Sequence, residues 1–123
     1  MLHPFFRFSV AGLVLLATSS CGLFYSDIDS YPCPPAGTQL RYQNFGAAFV
    51  DSYCQSCHSS QSIDRQGAPG EFIFDTVEQI QRHRARIFVR SAADNDSMPP
   101  GPNDPSKEQR KQLAEWLACG APN

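Results

Sequence analysis

Cys54-Gln55-Ser56-Cys57-His58 is the stretch on which the reading of this chain turns. C-x-x-C-H is the attachment signature of c-type haem. Two thiols at this spacing reach the two vinyl groups of one haem and form thioether bonds. His58 then follows under the iron as its proximal ligand. The five residues have two rivals, because C-x-x-C also serves redox dithiols and forms half of a zinc site. A redox dithiol normally opens a helix after a strand in a βαβ unit, and no such pattern surrounds Cys54. A zinc site needs a second ligand pair, whereas Cys33, Cys119 and His83 each stand alone.

The 123-residue length predicts a single domain. Residues 1–20 read as a signal peptide rather than as part of it. Arg7 supplies the positive start, residues 8–17 the apolar run, and Thr18, Ser19 and Ser20 the small residues. As a helix that run would span about 15 Å, half of a bilayer core of about 30 Å, so a retained span is not expected. Cys21 after the small residues resembles a bacterial lipoprotein cleavage site, in which the cysteine becomes the lipidated N-terminus. Thr18 stands where that pattern usually has leucine. Gly22 in the second mature position resembles lipoproteins sorted to an outer membrane. The expectation is an exported protein on the periplasmic side, tethered to the outer membrane through Cys21. The plainer reading is a secreted chain with Cys21 as a spare thiol. Bacterial haem attachment also takes place outside the cytoplasm, so export and motif name one compartment.

Ten basic and twelve acidic side chains leave a formal charge of −2. That balance argues against nucleic acid as a partner, since phosphate binding needs a basic surface. Of five cysteines, Cys21 is assigned to lipid and Cys54 and Cys57 to haem. Cys33 and Cys119 remain, and in an oxidising compartment they are expected to form a disulfide.

Residues 21–43 read as the lipid-attachment cysteine and a proline-containing linker, in which Pro32, Pro34 and Pro35 exclude a regular helix. The domain proper is expected over 44–123. A first helix should begin near Asn44 as N-cap, with Phe45, Phe49, Val50 and Tyr53 on one face, and run into Cys54. A polar loop follows from Ser59 to Gly70. Asp75 and Glu78 suggest a capping box for a second helix that ends near Ala92, with Val77, Ile80, Ile87 and Phe88 as its apolar side. Ala93 to Pro105 is a loop around Met98-Pro99-Pro100-Gly101-Pro102. Ser106 and Gln109 form a second capping box, Leu113, Trp116 and Leu117 an apolar stripe, and Gly120 a stop. No segment reads as a strand.

From about Asn44 to Gly120 this order resembles the class I c-type cytochromes. The resemblance implies an all-α, cytochrome c-like fold of about three main helices wrapped around one covalently bound haem c. It implies Met98 as the distal axial ligand, and Met98 is the only methionine besides Met1. Gly46 matches the family glycine that lets the first and last helices cross closely, and Trp116 the aromatic packed at that crossing. Val50 stands where the family usually has an aromatic. The resemblance also implies a loop proline whose carbonyl accepts the proximal imidazole's hydrogen bond, and Pro69 is the candidate.

His83 is the rival sixth ligand, and a vacant or water-filled position the other possibility. Arg82, Arg86 and Arg90 share a helix face. They read either as a solvated surface or as contacts for haem propionates or an acidic partner. The function expected is single-electron transfer between redox partner proteins by a carrier rather than an enzyme, as a monomer or a subunit of a larger complex. His/Met ligation would fill both axial positions and raise the potential relative to bis-histidine. The alternatives are a haem enzyme or gas sensor with a displaceable Met98, and a non-haem thiol or metal lipoprotein.

Overall fold

The structure, a computed structural model, describes residues 24–123. Residues 1–20, read as a signal peptide, and Cys21 lie outside the described residues. Within them the chain is all-helical, with no strand. A wide π-helical turn over Tyr42–Gly46 leads into α1 (Ala47–Tyr53), and the short α2 (Gln55–His58) follows at once. The longer helices are α3 (Val77–Ser91) and α4 (Lys107–Ala118). None of the described helices is long and apolar enough to cross a membrane.

The helix faces expected from spacing are the faces that pack. Phe49 and Val50 of α1, Ile80, Ile87 and Phe88 of α3, and Leu113, Trp116 and Leu117 of α4 are all buried in one core. α4 starts at Ser106, whose hydroxyl accepts from the Gln109 amide at 3.2 Å while Gln109 Oε1 accepts from the Ser106 amide at 2.8 Å. It ends in a Schellman closure. The Gly120 amide donates to the Leu117 carbonyl and the Ala121 amide to the Trp116 carbonyl, at 3.0 and 2.8 Å. Gly120 carries the positive φ of 93° that this closure requires.

Two helix starts differ from expectation. The N-cap of the first helical turn is Arg41, not Asn44. Asn44 sits one turn in, where its side-chain oxygen accepts from the Arg41 amide at 2.7 Å. The chain can start earlier because the Pro122 carbonyl satisfies the Tyr42 amide at 2.9 Å. The N-cap of α3 is Thr76 with Gln79, rather than Asp75 with Glu78. Asp75 is engaged elsewhere, accepting from the Ser60 amide at 3.1 Å.

The segment read as a linker is docked. Ile28 and Thr38 are buried, and the Tyr31 ring packs edge-on against Phe88 at 5.7 Å. The Thr38 hydroxyl donates to Glu115 at 2.6 Å. A disulfide joins Cys33 to Cys119 with Cα atoms 5.1 Å apart, so this strap is fastened to the end of α4. From Tyr25 onward the strap belongs to the folded unit rather than to a free tether.

Gly46 lies against the Trp116 ring. A Cβ at Gly46 would lie 2.4 and 2.5 Å from two Trp116 ring carbons. Trp116 is fully buried and its indole N–H donates to the Pro122 carbonyl at 3.1 Å, so the ring has nowhere to retreat. We expect Gly46→Ala to cost about 3 kcal/mol through overpacking. Urea denaturation should show a lower midpoint with an unchanged slope. An unchanged midpoint would mean that the crossing is looser than described.

Candidate functional site

Cys54, Cys57 and His58 occupy a single turn. Cys54 ends α1, and its amide donates to the Val50 carbonyl at 2.9 Å. Its own carbonyl accepts from the amides of Cys57 and His58, at 3.1 and 2.8 Å. The tight turn thus carries both thiols and the imidazole on a few ångströms of backbone. Both cysteines are free and half-buried. Burial pushes the Cys54 thiol up to about 12. A thiol held protonated in this way is a poor redox nucleophile, because the thiolate is the reactive form.

The segment after His58 folds back over it. The Phe74 amide donates to the His58 carbonyl at 2.8 Å, and Gln55 Nε2 donates to the Phe74 carbonyl at 2.7 Å. The Phe74 ring stacks on the imidazole, with centroids 4.7 Å apart and planes 17° apart. His58 Nδ1 lies 2.9 Å from the Phe72 carbonyl. With Nδ1 as the donor in that bond, Nε2 keeps its lone pair. Two contacts therefore orient the ring, one on its face and one at its edge.

The carbonyl that serves His58 is that of Phe72, not of Pro69. The Pro69 carbonyl is turned away, accepting from Arg65 Nη2 at 2.8 Å and from the Phe72 amide at 3.1 Å. The Pro69–Phe72 turn swings the chain so that a later carbonyl faces the imidazole. Arg65, which no motif in the sequence singles out, binds four carbonyls in this loop: those of Ser59, Ala68, Pro69 and Phe72. Hydrogen bonds from Ser60, assisted by the charge of Arg65, hold the Asp75 carboxyl below the usual carboxylate range.

His83 packs against the Phe72 and Phe74 rings, with centroids at 5.1 and 6.1 Å. It shares the Phe74 ring with His58, which stacks on that ring. Arg82 and Arg86 are exposed on the same helix, with the Arg86 guanidinium 6.0 Å from the Phe72 ring centroid. Arg84 instead reaches the C-terminus of α4, donating to the Leu117 carbonyl at 3.3 Å.

Met98 stands on a separate part of the fold, in the loop between α3 and α4. Its side chain is 38% exposed. Its amide donates to the Arg90 carbonyl at 2.8 Å, and its carbonyl accepts from Arg110 Nη1 at 2.9 Å. Arg110 is a buried cation that also binds the carbonyls of Ser91 and Asn95, and it pairs with Asp104 at 3.6 Å. The loop is tied in turn to α1, where Asn103 Nδ2 donates to the Ser52 carbonyl at 3.2 Å. Ser52 lies two residues before Cys54, so the Met98 loop is anchored to the helix that presents the thiols. No hydrogen bond joins Met98 to His58.

A cavity of 440 Å³ opens elsewhere, bordered by Tyr25, Tyr31, Asp94, Lys107, Arg110 and Lys111. None of its walls comes from the Cys54–His58 turn. Among the described residues no three His, Cys, Asp or Glu side chains gather as a metal site, so a four-ligand zinc site is not assembled there. Comparison with protein-family models, with curated proteins and with solved structures finds no match for this chain.

Proposed function

We propose that the chain is a mono-haem c-type cytochrome that transfers single electrons outside the cytoplasm. The observation that carries this reading is the Cys54–His58 turn with its oriented imidazole. The residues fit the group the motif implies. Two free thiols and a ring nitrogen share one turn, as double thioether attachment with a proximal ligand requires. Coordination would use the in-plane lone pair of Nε2, a direction that the Phe74 ring stacked on the imidazole face does not occupy. The Nδ1 bond to a carbonyl fixes the ring and raises its basicity toward iron. The strongly raised Cys54 thiol counts against the redox-dithiol reading.

Haem iron supplies the one-electron change between ferric and ferrous. The protein's part is to hold it and set its preference. Cys54 and Cys57 would hold the haem through thioether bonds, and His58 would ligate its iron. Met98, on a loop fastened to α1, α3 and α4, would be the second protein ligand to the iron. Its soft thioether sulfur favours the ferrous form. The exposed arginines of α3 suit an acidic redox partner. Export and anchoring through Cys21 remain part of the proposal, carried by the sequence of residues 1–22.

The test is direct. The full chain, produced with a haem-attachment system, should give a haem-staining band on a denaturing gel, which only covalent haem survives. The ferric protein should show a methionine-to-iron charge-transfer band, and Met98→Ala should abolish it and lower the potential. Absence of staining refutes the haem reading. Staining without that band, together with rapid ligand uptake by the resting protein, favours a haem enzyme or gas sensor.

A further inference from the structure

We infer that Arg65 is a tuning residue for the proximal ligand, acting through the carbonyl it shares with His58. This rests on the haem reading above and adds a residue that neither the motif nor the resemblance assigns. The Phe72 carbonyl oxygen has two neighbours. His58 Nδ1 lies at 2.9 Å and Arg65 Nη2 at 3.3 Å. A carbonyl oxygen has two lone pairs, so both donors can be served at once. They then draw on the same electron density. Two donors on one acceptor compete, unlike donors in a chain, which strengthen one another.

The sign follows from what each donor does. A strong Nδ1–H···O bond pushes electron density into the imidazole, and an electron-rich imidazole stabilises ferric iron. Arg65 brings a full positive charge to that oxygen. It weakens the oxygen as an acceptor and leaves the imidazole less electron-rich. The guanidinium charge also disfavours the extra positive charge of ferric iron. Both effects favour ferrous iron and raise the potential.

Arg65 is held for this role. It is half-buried: Nε and Nη1 donate to the carbonyls of Ala68 and Ser59 at 3.3 and 3.2 Å, and Nη2 donates to that of Pro69 at 2.8 Å as well as to that of Phe72. That rigid fork is a property of guanidinium which lysine lacks. The four bonds close the 59–72 loop around the cation, so the charge stands at one place relative to Phe72.

The test compares Arg65→Gln and Arg65→Lys with the parent chain, each loaded with haem and confirmed by haem staining. Arg65→Gln should shift the ferric/ferrous equilibrium about tenfold toward ferric. For a one-electron couple that is about 59 mV lower in potential. Arg65→Lys keeps the charge and should recover part of the shift. The second readout is the His58 Nδ1–H resonance, which should move downfield in Arg65→Gln as the Phe72 carbonyl becomes a stronger acceptor. A purely structural role for Arg65 would move neither in a variant whose Met–iron band and helix content match the parent. If Arg65→Gln misfolds, the Arg65→Lys pair of readouts decides alone. An unchanged potential and an unchanged His58 resonance overturn the inference. A parent chain that carries no haem fails the cytochrome reading instead. The His58 resonance of that haem-free chain still tests whether Arg65 weakens the shared bond.

Discussion

Replacing both Cys54 and Cys57 with serine is expected to reduce covalent haem to background on a stained denaturing gel. Cys57→Ser alone should leave at most one thioether and a red-shifted haemochrome band. The expectation is close to all-or-none because serine cannot form the thioether. Nothing else on the turn replaces it, since Gln55, Ser56 and His58 carry no thiol. The helices should survive the change in the haem-free chain. Cys54 is half-buried at the edge of the core, and Cys57 lies outside it. Far-ultraviolet circular dichroism of the variant thus separates loss of haem from loss of fold. If Cys57→Ser leaves the haem content and its spectrum unchanged, the assignment of the turn is wrong.

Opening the Cys33–Cys119 disulfide should cause a large loss of stability. The bond joins residues separated by 86 positions. Loop-closure entropy for such a ring corresponds to about 4–5 kcal/mol, although measured values often fall short. The strap it fastens also buries Ile28 and Thr38, and the Tyr31 ring against Phe88. Cys33→Ser/Cys119→Ser should therefore lower the denaturation midpoint strongly, with the Thr38 amide among the first to exchange with solvent. A midpoint within experimental error of the parent would show that the strap is held by its side chains alone. Cys33 is exposed and Cys119 half-buried, so serine creates no buried unpaired polar group and the effect reads the cross-link itself.

What could be read from the sequence was what local chemistry determines. The Ser106–Gln109 capping box was legible because both partners lie within one turn. The α3 start was misplaced by one residue because Asp75-x-x-Glu78 and Thr76-x-x-Gln79 both satisfy the same pattern. The choice fell to Ser60, whose amide occupies the Asp75 carboxylate. Such a contact joins two loops and leaves no local trace. The same holds for the carbonyl that serves His58. Every residue has one, so only the path of the Pro69–Phe72 turn selects Phe72. Arg65 and Arg110 were passed over for a related reason, since seven of their partners are backbone carbonyls, with Asp104 the one side chain among them. The prolines of the strap correctly ruled out a helix. They carried no information about docking, although Tyr25, Ile28 and Tyr31 recur three residues apart and form its packed side.

The strap has one more consequence, which concerns breakage. With Cys33 joined to Cys119, the chain between them is a covalent ring, and it contains both the Cys54–His58 turn and the Met98 loop. A single protease cut inside that ring, for example in the exposed stretch around Ile63 or Gln66, yields no separate fragment. The two pieces stay one molecule of nearly unchanged mass. The half with the Cys54–His58 turn and the half with Met98 remain joined and able to close on each other again, until a reductant reaches the disulfide.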